Sequence, residues 1–499
     1  MIRTPEQYIQ SLSDGRQFWI LGEKVPDLNK HPFTKKTIKA ASMFWVLMNH
    51  PDYRDVLTME DEETGEMVNF LWKQPRTAED LKRRREIYIT NARIGGGIAG
   101  MGPDALAAAG VVGAKMDREL GTQYMDAVND YRLHLKKTDP YITGAITDVK
   151  GDRSLHPMSQ KQHQDFYVRW VDRQKDGIIV RGAKMHISST TVANEAIVSP
   201  CRAHREPDKD CALCFATPLN AKGIKIISSP PHPSEELNEG SAWDFPKSGE
   251  VGNGIAFHND CLIVFEDVFV PWNRVFMCGE WQYSRDLAWA FGTYHRLFGT
   301  CNHTVGAQSH SGLGALLAEF NGLERDRVIR GKLAMLARHA AIIDMAGRAA
   351  CEYPVIDPDT GMAVPNLLYT NVAKWEYADG GPESSKIIAD IAGGLVATCP
   401  SYKDWMNPEE RPLLERYLAG KDGVPTEHRL KAMRLAKELT SCGSNQSSLH
   451  AEGSLGAQIM ALYASADWEL YKAAARREAK IPGWERHPLF KDLPEYPPK

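Results

Sequence analysis

An α+β architecture, helical at both ends and strand-rich in the middle, is what this sequence predicts. Three observations carry it: helical apolar spacing from Pro5 to about Tyr141, short β-branched runs from Ile146 to about Phe276, and long helical periodicity from Glu280 onward. In the first stretch Ile38, Ala41, Trp45 and Met48 share one helical face, as do Ala105, Ala109, Val112 and Met116, with Asp and Thr residues placed to cap. In the second, GIIVRGAKMHIS, EAIVSPCRA, CALCFATPL, GIKIISSPP and CLIVFEDVFVPW are divided by Gly, Pro and Asn clusters, as strands of a compact barrel or sandwich are. In the third, Ile329, Leu333, Leu336 and Ile343 mark a long helix, and helical spacing returns over 427–438 and 451–477. The expected parts are 1–145, 146–278 and 279–480, followed by an extended tail rich in proline and charge, 481–499.

A chain of 499 residues has room for more than one core. Its net charge of -4, with 25% charged and 43% hydrophobic residues, offers no basic excess for nucleic acid or an acidic membrane surface, so small organic partners are expected. The polar start MIRTPEQYIQSLSDGR and the lack of a long apolar run place the chain in the cytoplasm. Nine scattered cysteines point to reduced thiols rather than a disulfide framework. Cys211 and Cys214 have CxxC spacing without a second pair, and their strand-like surroundings favour packing over metal.

Neither GxGxxG after a strand nor GxxxxGK[ST] occurs, so a Rossmann site and a P-loop are both unsupported. The run GGGIAG, Gly95 to Gly100, follows the helical stretch LKRRREIYITNARI, which makes it a helix break where space is wanted rather than a phosphate cradle.

Two polar turns hold the most specific wording: GAITDVKGDR at Gly144 to Arg153, and DGIIVRGAKMHISSTT at Asp176 to Thr191. With TYHRLFGTC, ADIAGGL and HAEGSLGAQ further on, they resemble the flavoprotein family that holds the 4-hydroxyphenylacetate 3-monooxygenase oxygenase components and 4-hydroxybutyryl-CoA dehydratase. The resemblance implies an acyl-CoA dehydrogenase-like fold, with flavin between the β part and a C-terminal four-helix bundle, and assembly as a homodimer or homotetramer. It places FAD against Lys150, Gly151, Asp152 and Arg153, then Pro157, Met158, Ser159 and Gln160, with Ser188, Ser189, Thr190 and Thr191 at the isoalloxazine edge. Gly393 and Gly394, and Gly453 and Ser454, match the family's C-terminal flavin contacts.

The catalytic pattern of neither branch is complete. The dehydratases hold a [4Fe-4S] cluster on a Cys-x3-Cys pair, a His and a further Cys; the pair falls here on Gly96 and Gly100, leaving His295 and Cys301, so no cluster is expected. The oxygenases' phenol-gripping Arg, Tyr and His fall on Met101, Ala105 and Gly144. A wider, less polar pocket lined by Gly96, Gly97, Gly100, Met101 and Ala105 is the expectation, with Tyr294 and Ser447 also at the substrate; Ser447 replaces a family carboxylate. His295 is the candidate acid or base beside the flavin and Arg296 an anion stabiliser, while Asp260 either orients His295, acts as a second base or merely forms a turn.

Two functions follow from the resemblance. One is a two-component monooxygenase that takes reduced FAD from a separate NAD(P)H reductase and passes oxygen from O2 to an aromatic or heteroaromatic small molecule. The other is a cluster-free isomerase or lyase acting on an acyl-CoA or related substrate, with His295 as base; a non-catalytic flavin protein comes last.

Overall fold

The computed structural model describes residues 2–95, 99–229, 260–441 and 449–492. The N-terminal part contains α1 (Pro5–Ser11), α2 (Pro32–Asn49), α3 (Pro51–Leu57), α4 (Ala78–Arg93), α5 (Met101–Leu120) and α6 (Tyr124–Thr138). Local chemistry sets their ends. Thr77 and Asp80 form a reciprocal capping box at the start of α4, satisfying two amides that the first helical turn leaves open. Asp139 ends α6 in a left-handed conformation, and its buried carboxylate accepts from the Trp45 indole at 2.8 Å. Tyr8 stacks on Trp45 at 3.9 Å and donates its hydroxyl to the Val192 carbonyl, which ties α1 and α2 to the centre of the molecule.

That centre is two sheets. The larger joins β2 (Glu23–Lys24), β1 (Gln17–Ile20), β10 (Ile224–Ser228), β11 (Cys261–Pro271), β7 (Gly177–Ile187) and β6 (Arg169–Arg173), in that spatial order. The smaller joins β12 (Val275–Cys278), β9 (Leu213–Pro218), β8 (Glu195–Val198) and β5 (Ile142–Ala145). A separate hairpin, β3 (Thr58–Glu60) with β4 (Met67–Asn69), lies in the helical part. The five expected runs form β7, β8, β9, β10 and β11, and the sheets add β1, β2, β5, β6 and β12, of which β5 lies just before the expected boundary at residue 146. β1 comes from the first twenty residues and pairs in parallel with β10, Gln17 opposite Lys225. Four residues of iBiB burial, shorter than a typical strand, carry too little periodicity to stand out among helices.

A buried lysine fastens the two sheets. Lys184 of β7 spends all three donors, on the Asp148 carboxylate at 2.6 Å and on the carbonyls of Ile146 and Ser199, both of which follow strands of the smaller sheet. The other Asp148 oxygen accepts from the Cys201 thiol. Cys214 is buried in β9 and its thiol is pushed up to about 12 by that burial, which agrees with a packing role for the CxxC pair.

After the sheets come the long helices α7 (Ser284–Phe320), α8 (Arg327–Glu352), α9 (Leu367–Ala392) and α10 (Thr426–Ser441), which pack together as a bundle. Asp326 and Asn366 cap α8 and α9 by accepting from two backbone amides each. Two shorter helices, α11 (Leu455–Ser465) and α12 (Trp468–Glu478), follow. At 37 residues, α7 is long enough to touch α4 and α5 with its first half and the bundle with its second.

Candidate active site

One of the expected flavin segments, the 188–191 turn, is linked to α7 through strand β5. Thr143 of β5 donates its hydroxyl to the Ser188 carbonyl at 2.6 Å, which holds the 188–191 turn. The next residue, Gly144, has only hydrogen on its other side, and the space is taken by Met101 and Phe291. Phe291 then stacks on His295, with ring centroids 5.0 Å apart. Phe298 covers the imidazole from the opposite end at 5.4 Å, so His295 lies between two nearly parallel aromatic rings.

Its partner is Asp104. Nδ1 of His295 lies 3.2 Å from the Asp104 carboxylate, and the other carboxylate oxygen accepts from the Tyr88 hydroxyl at 3.2 Å. Burial first, and then the adjacent Asp104 charge, push the Tyr88 phenol well above its ordinary value, so it stays a donor. A chain of Tyr88, Asp104 and His295 thus fixes which imidazole nitrogen carries the proton and leaves Nε2 for chemistry. Asp104 was legible only as an acidic residue in the first turn of α5, where such residues commonly just complement the helix dipole.

Of the roles expected of Asp260, the turn is the one with a hydrogen bond: its carboxylate accepts from Ser188 Oγ at 2.7 Å and so holds the 188–191 turn. In that turn the hydroxyls of Thr190 and Thr191 point inward, toward the Ile187 carbonyl and the Cys261 sulfur, and both residues are buried. Ser188 and Ser189 remain half-exposed, Ser189 with a φ of 63°.

The 150–160 loop is closed by its own glutamine. Gln160 accepts from the Asp152 amide and donates to the Asp152 carbonyl, each at 2.9 Å. Gly151 is required twice: its φ is 54°, and a Cβ there would fall 2.5 Å from the Gln160 side-chain oxygen. Met158 is held by Asp208, which accepts from its amide, while Arg153 and Ser159 stay at the surface, Lys150 is half-buried and Pro157 is buried. The loop is thus closed by hydrogen bonds of its own side chains and backbone.

On the substrate side the pocket differs from expectation. A Cβ at Gly100 would sit 2.4 Å from the Phe298 ring, so the space that a ligand side chain would occupy is filled by an aromatic residue. Met101 and Ala105 are buried, and Tyr294 turns away from His295 to donate to the Ala363 carbonyl, so it does not line the pocket. Gly96, Gly97 and Ser447 lie outside the described residues. Cys301 is fully buried with its thiol on the Leu297 carbonyl, and six residues along α7 place it on a different face from His295. His295 and Cys301 therefore do not face one site. Among the described residues no group of three or more His, Cys, Asp or Glu is arranged to hold a metal ion.

From the C-terminal segments, Glu452 and Gly453 come against α7: Arg296 donates from Nε to the Glu452 carbonyl at 3.2 Å, and its guanidinium passes beside Gly453. Ser454 caps α11. Gly393 and Gly394 are exposed just past the end of α9.

Residues 4–277 match the 4-hydroxyphenylacetate 3-hydroxylase N-terminal family, and residues 284–480 match its C-terminal counterpart. The chain belongs to the 4-hydroxyphenylacetate 3-hydroxylase family. It is 28% identical to the 4-hydroxybutyryl-CoA dehydratase/vinylacetyl-CoA-Delta-isomerase of Clostridium aminobutyricum, over 96% of this chain and all of that one. To the 4-hydroxyphenylacetate 3-monooxygenase oxygenase component of Thermus thermophilus it is 29% identical, over 89% of each. A crystal structure of such an oxygenase component complexed with FAD superposes with a TM-score of 0.84 at 27% identity, covering 96% of this chain and 98% of that one. The order that the sequence predicts, helical, then strand-rich, then helical, is that of the structure, which shares its fold with this oxygenase component.

Proposed function

We propose that this chain is the oxygenase component of a two-component monooxygenase, which uses reduced FAD and O2 to hydroxylate an aromatic or heteroaromatic small molecule. The observation that carries the reading is His295, oriented by Asp104 and set between Phe291 and Phe298 on the helix that β5 links to the 188–191 turn. FAD, when bound, supplies the reducing electrons and the activation of O2. The chain's own residues do the rest. Lys150 to Arg153 and Pro157 to Gln160 present backbone and polar groups to the cofactor, and Gly453 approaches it from the helical side. Phe291, Phe298 and Met101 give an aromatic substrate apolar partners and keep water out. His295 takes or returns a proton at Nε2, and the nearby Arg296 stabilises negative charge.

Lack of a dinucleotide motif supports a separate NAD(P)H-dependent reductase. All eight described cysteines are unpaired, which supports a reducing compartment such as the cytoplasm, and no described helix is long and apolar enough to cross a membrane. Val328, Met335 and Met345 expose an apolar face of α8, which supports a homodimer or homotetramer; light scattering at the monomer mass would refute this.

The deciding experiment mixes anaerobically reduced, FAD-loaded protein with O2 in a stopped-flow spectrometer. A transient near-ultraviolet absorbance is expected before the oxidised spectrum returns, with hydroxylated product when an aromatic substrate is present. Immediate reoxidation with full release of peroxide, whatever the aromatic supplied, defeats the reading. A second reading has its own support: an imidazole backed by a buried carboxylate also suits removal of a carbon-bound proton, as a cluster-free isomerase or lyase of an acyl-CoA or related substrate requires. Exchange of substrate α-protons with solvent, lost in His295→Ala, is the result that favours it.

A further inference from the structure

Arg296 is only 9% exposed, yet among the described residues its guanidinium makes a single hydrogen bond, from Nε to the Glu452 carbonyl at 3.2 Å. No described acceptor meets Nη1 or Nη2, and neither nitrogen is sealed from solvent. The group lies flat on its own helix. A Cβ at Gly292, one turn earlier, would be 3.4, 3.5 and 3.6 Å from Nη1, Cζ and Nη2, so the guanidinium plane covers that glycine and leaves its outer edge open. A second glycine borders that edge. A Cβ at Gly453 would fall 3.2 Å from Nη2 and 3.4 Å from Gln458 Nε2, so the hydrogen there, on a backbone with a φ of 105°, keeps a notch with two donors at its rim. Gln458 is fully buried, and its Nε2 reaches the Glu452 carbonyl only at 3.4 Å.

The charge of Arg296 has no carboxylate against it. Among the described residues the acid that acts on it is Glu452, whose carboxylate bonds His303 Nε2 at 2.8 Å and sits against Gly299, seven residues and about 10 Å along α7 from Gly292. Lys374 of α9, fully buried, is stabilised by that same carboxylate. Two buried cations thus share one anion. Burial lowers both Arg296 and Lys374, and Glu452 offsets this only in part. A cation taken out of water without a matching charge is costly, and a bound anion removes that cost.

Placement connects the open edge to the proposed chemistry. Gly292, His295, Arg296 and Gly299 follow the i, i+3, i+4, i+7 stripe of one helix face, with His295 and Arg296 on opposite sides of the glycine line. A molecule lying along that face can present one end to each.

We propose that the open edge of Arg296, with Gln458 Nε2 beside Gly453, is a carboxylate-binding notch, and that the substrate is an aromatic or heteroaromatic carboxylic acid. A carboxylate is planar, and its two oxygens accept parallel N–H bonds from the Nη pair. An open guanidinium edge and one neutral amide carry a single positive charge, which a singly charged carboxylate cancels. Binding is non-covalent and moves no proton. The inference rests on the oxygenase reading for one point, that the bound acid is the substrate. The negative charge that Arg296 meets is then a permanent group of the substrate rather than one that appears during reaction.

Isothermal titration calorimetry on the full-length protein, with FAD bound and again flavin-free, compares benzoate, benzamide and inorganic phosphate. Benzoate is expected to bind at least about tenfold more tightly than benzamide, which has the same shape and no charge. Arg296→Gln should weaken benzoate by about 10–100-fold and leave benzamide unchanged, and Arg296→Lys should restore only part, because an ammonium has no planar edge. In turnover, the KM for an aromatic acid should rise in Arg296→Gln by a larger factor than kcat falls. No benzoate binding, or equal binding of benzoate and benzamide by wild type, overturns the notch whether or not the variants fold. Unchanged benzoate affinity in Arg296→Gln does so too. Phosphate that displaces benzoate and binds more tightly assigns the edge to a phosphate-bearing ligand and overturns the substrate class. If FAD-loaded protein gives neither the transient absorbance nor hydroxylated product, the proposed function fails, and benzoate against benzamide on flavin-free protein still decides the notch.

Discussion

Replacing His295 by alanine is expected to lower turnover by about 10²–10⁴-fold, the range that a positioned acid or base contributes. Flavin affinity should stay within a few-fold, because His295 is held by Asp104 and two phenylalanines and not by the 150–160 loop. Asp104→Asn is the sharper companion. The amide fills the same volume and still meets Tyr88, but it cannot supply the charge that favours a proton on Nδ1. A loss of about tenfold or more is expected, with a displaced pH profile. Equal activity of wild type and His295→Ala in single-turnover kinetics would remove His295 from the chemistry in both functional readings.

The second large effect concerns stability. Lys184→Ala strips three donors from a site where the lysine and Asp148 side chains are 2% and 3% exposed, and it leaves the carboxylate with only the Cys201 thiol as a side-chain donor. Breaking one partner of such a pair costs about 3–5 kcal/mol, enough to consume much of the stability of an ordinary domain. Urea unfolding should show the loss as a lower midpoint. Lys184→Met with Asp148→Asn removes both charges and should recover part of it, whereas a double variant no better than Lys184→Ala would show that the ion pair was not the cause. The 150–160 loop begins two residues after Asp148, so flavin affinity should fall with the single variant.

The fold was readable because its signals are long. Helices of 20 to 37 residues repeat their apolar spacing many times, and an eleven-residue strand such as β7 alternates well enough to declare itself. The flavin-binding family was readable for a different reason: polar turns such as KGDR and SSTT have few other uses in that order. His295 was readable through its neighbours in TYHR, whereas Asp104 and Glu452 were not. Both act at long range in sequence, 191 and 149 residues from the histidines they bond, and an isolated acidic residue carries no mark of its eventual partner. Tyr294 and the pocket at Gly100 failed for a packing reason. A glycine reads as room, but Phe298 had already claimed the volume, and one residue along a helix turns a side chain by about 100°, which carries Tyr294 to another face.

The pairing of β1 with β10 bears on how the chain is made. Gln17 leaves the ribosome about 200 residues before Lys225, its neighbour in the finished sheet, an interval of about 10 to 40 seconds at ordinary rates of synthesis. During that time the first helices have Tyr8 and Trp45 to hold them together, but the edge of β1 stays without its ladder. Folding of the amino-terminal region therefore finishes late, after the middle of the protein has emerged, and slow translation would lengthen the interval in which that bare edge can meet another chain.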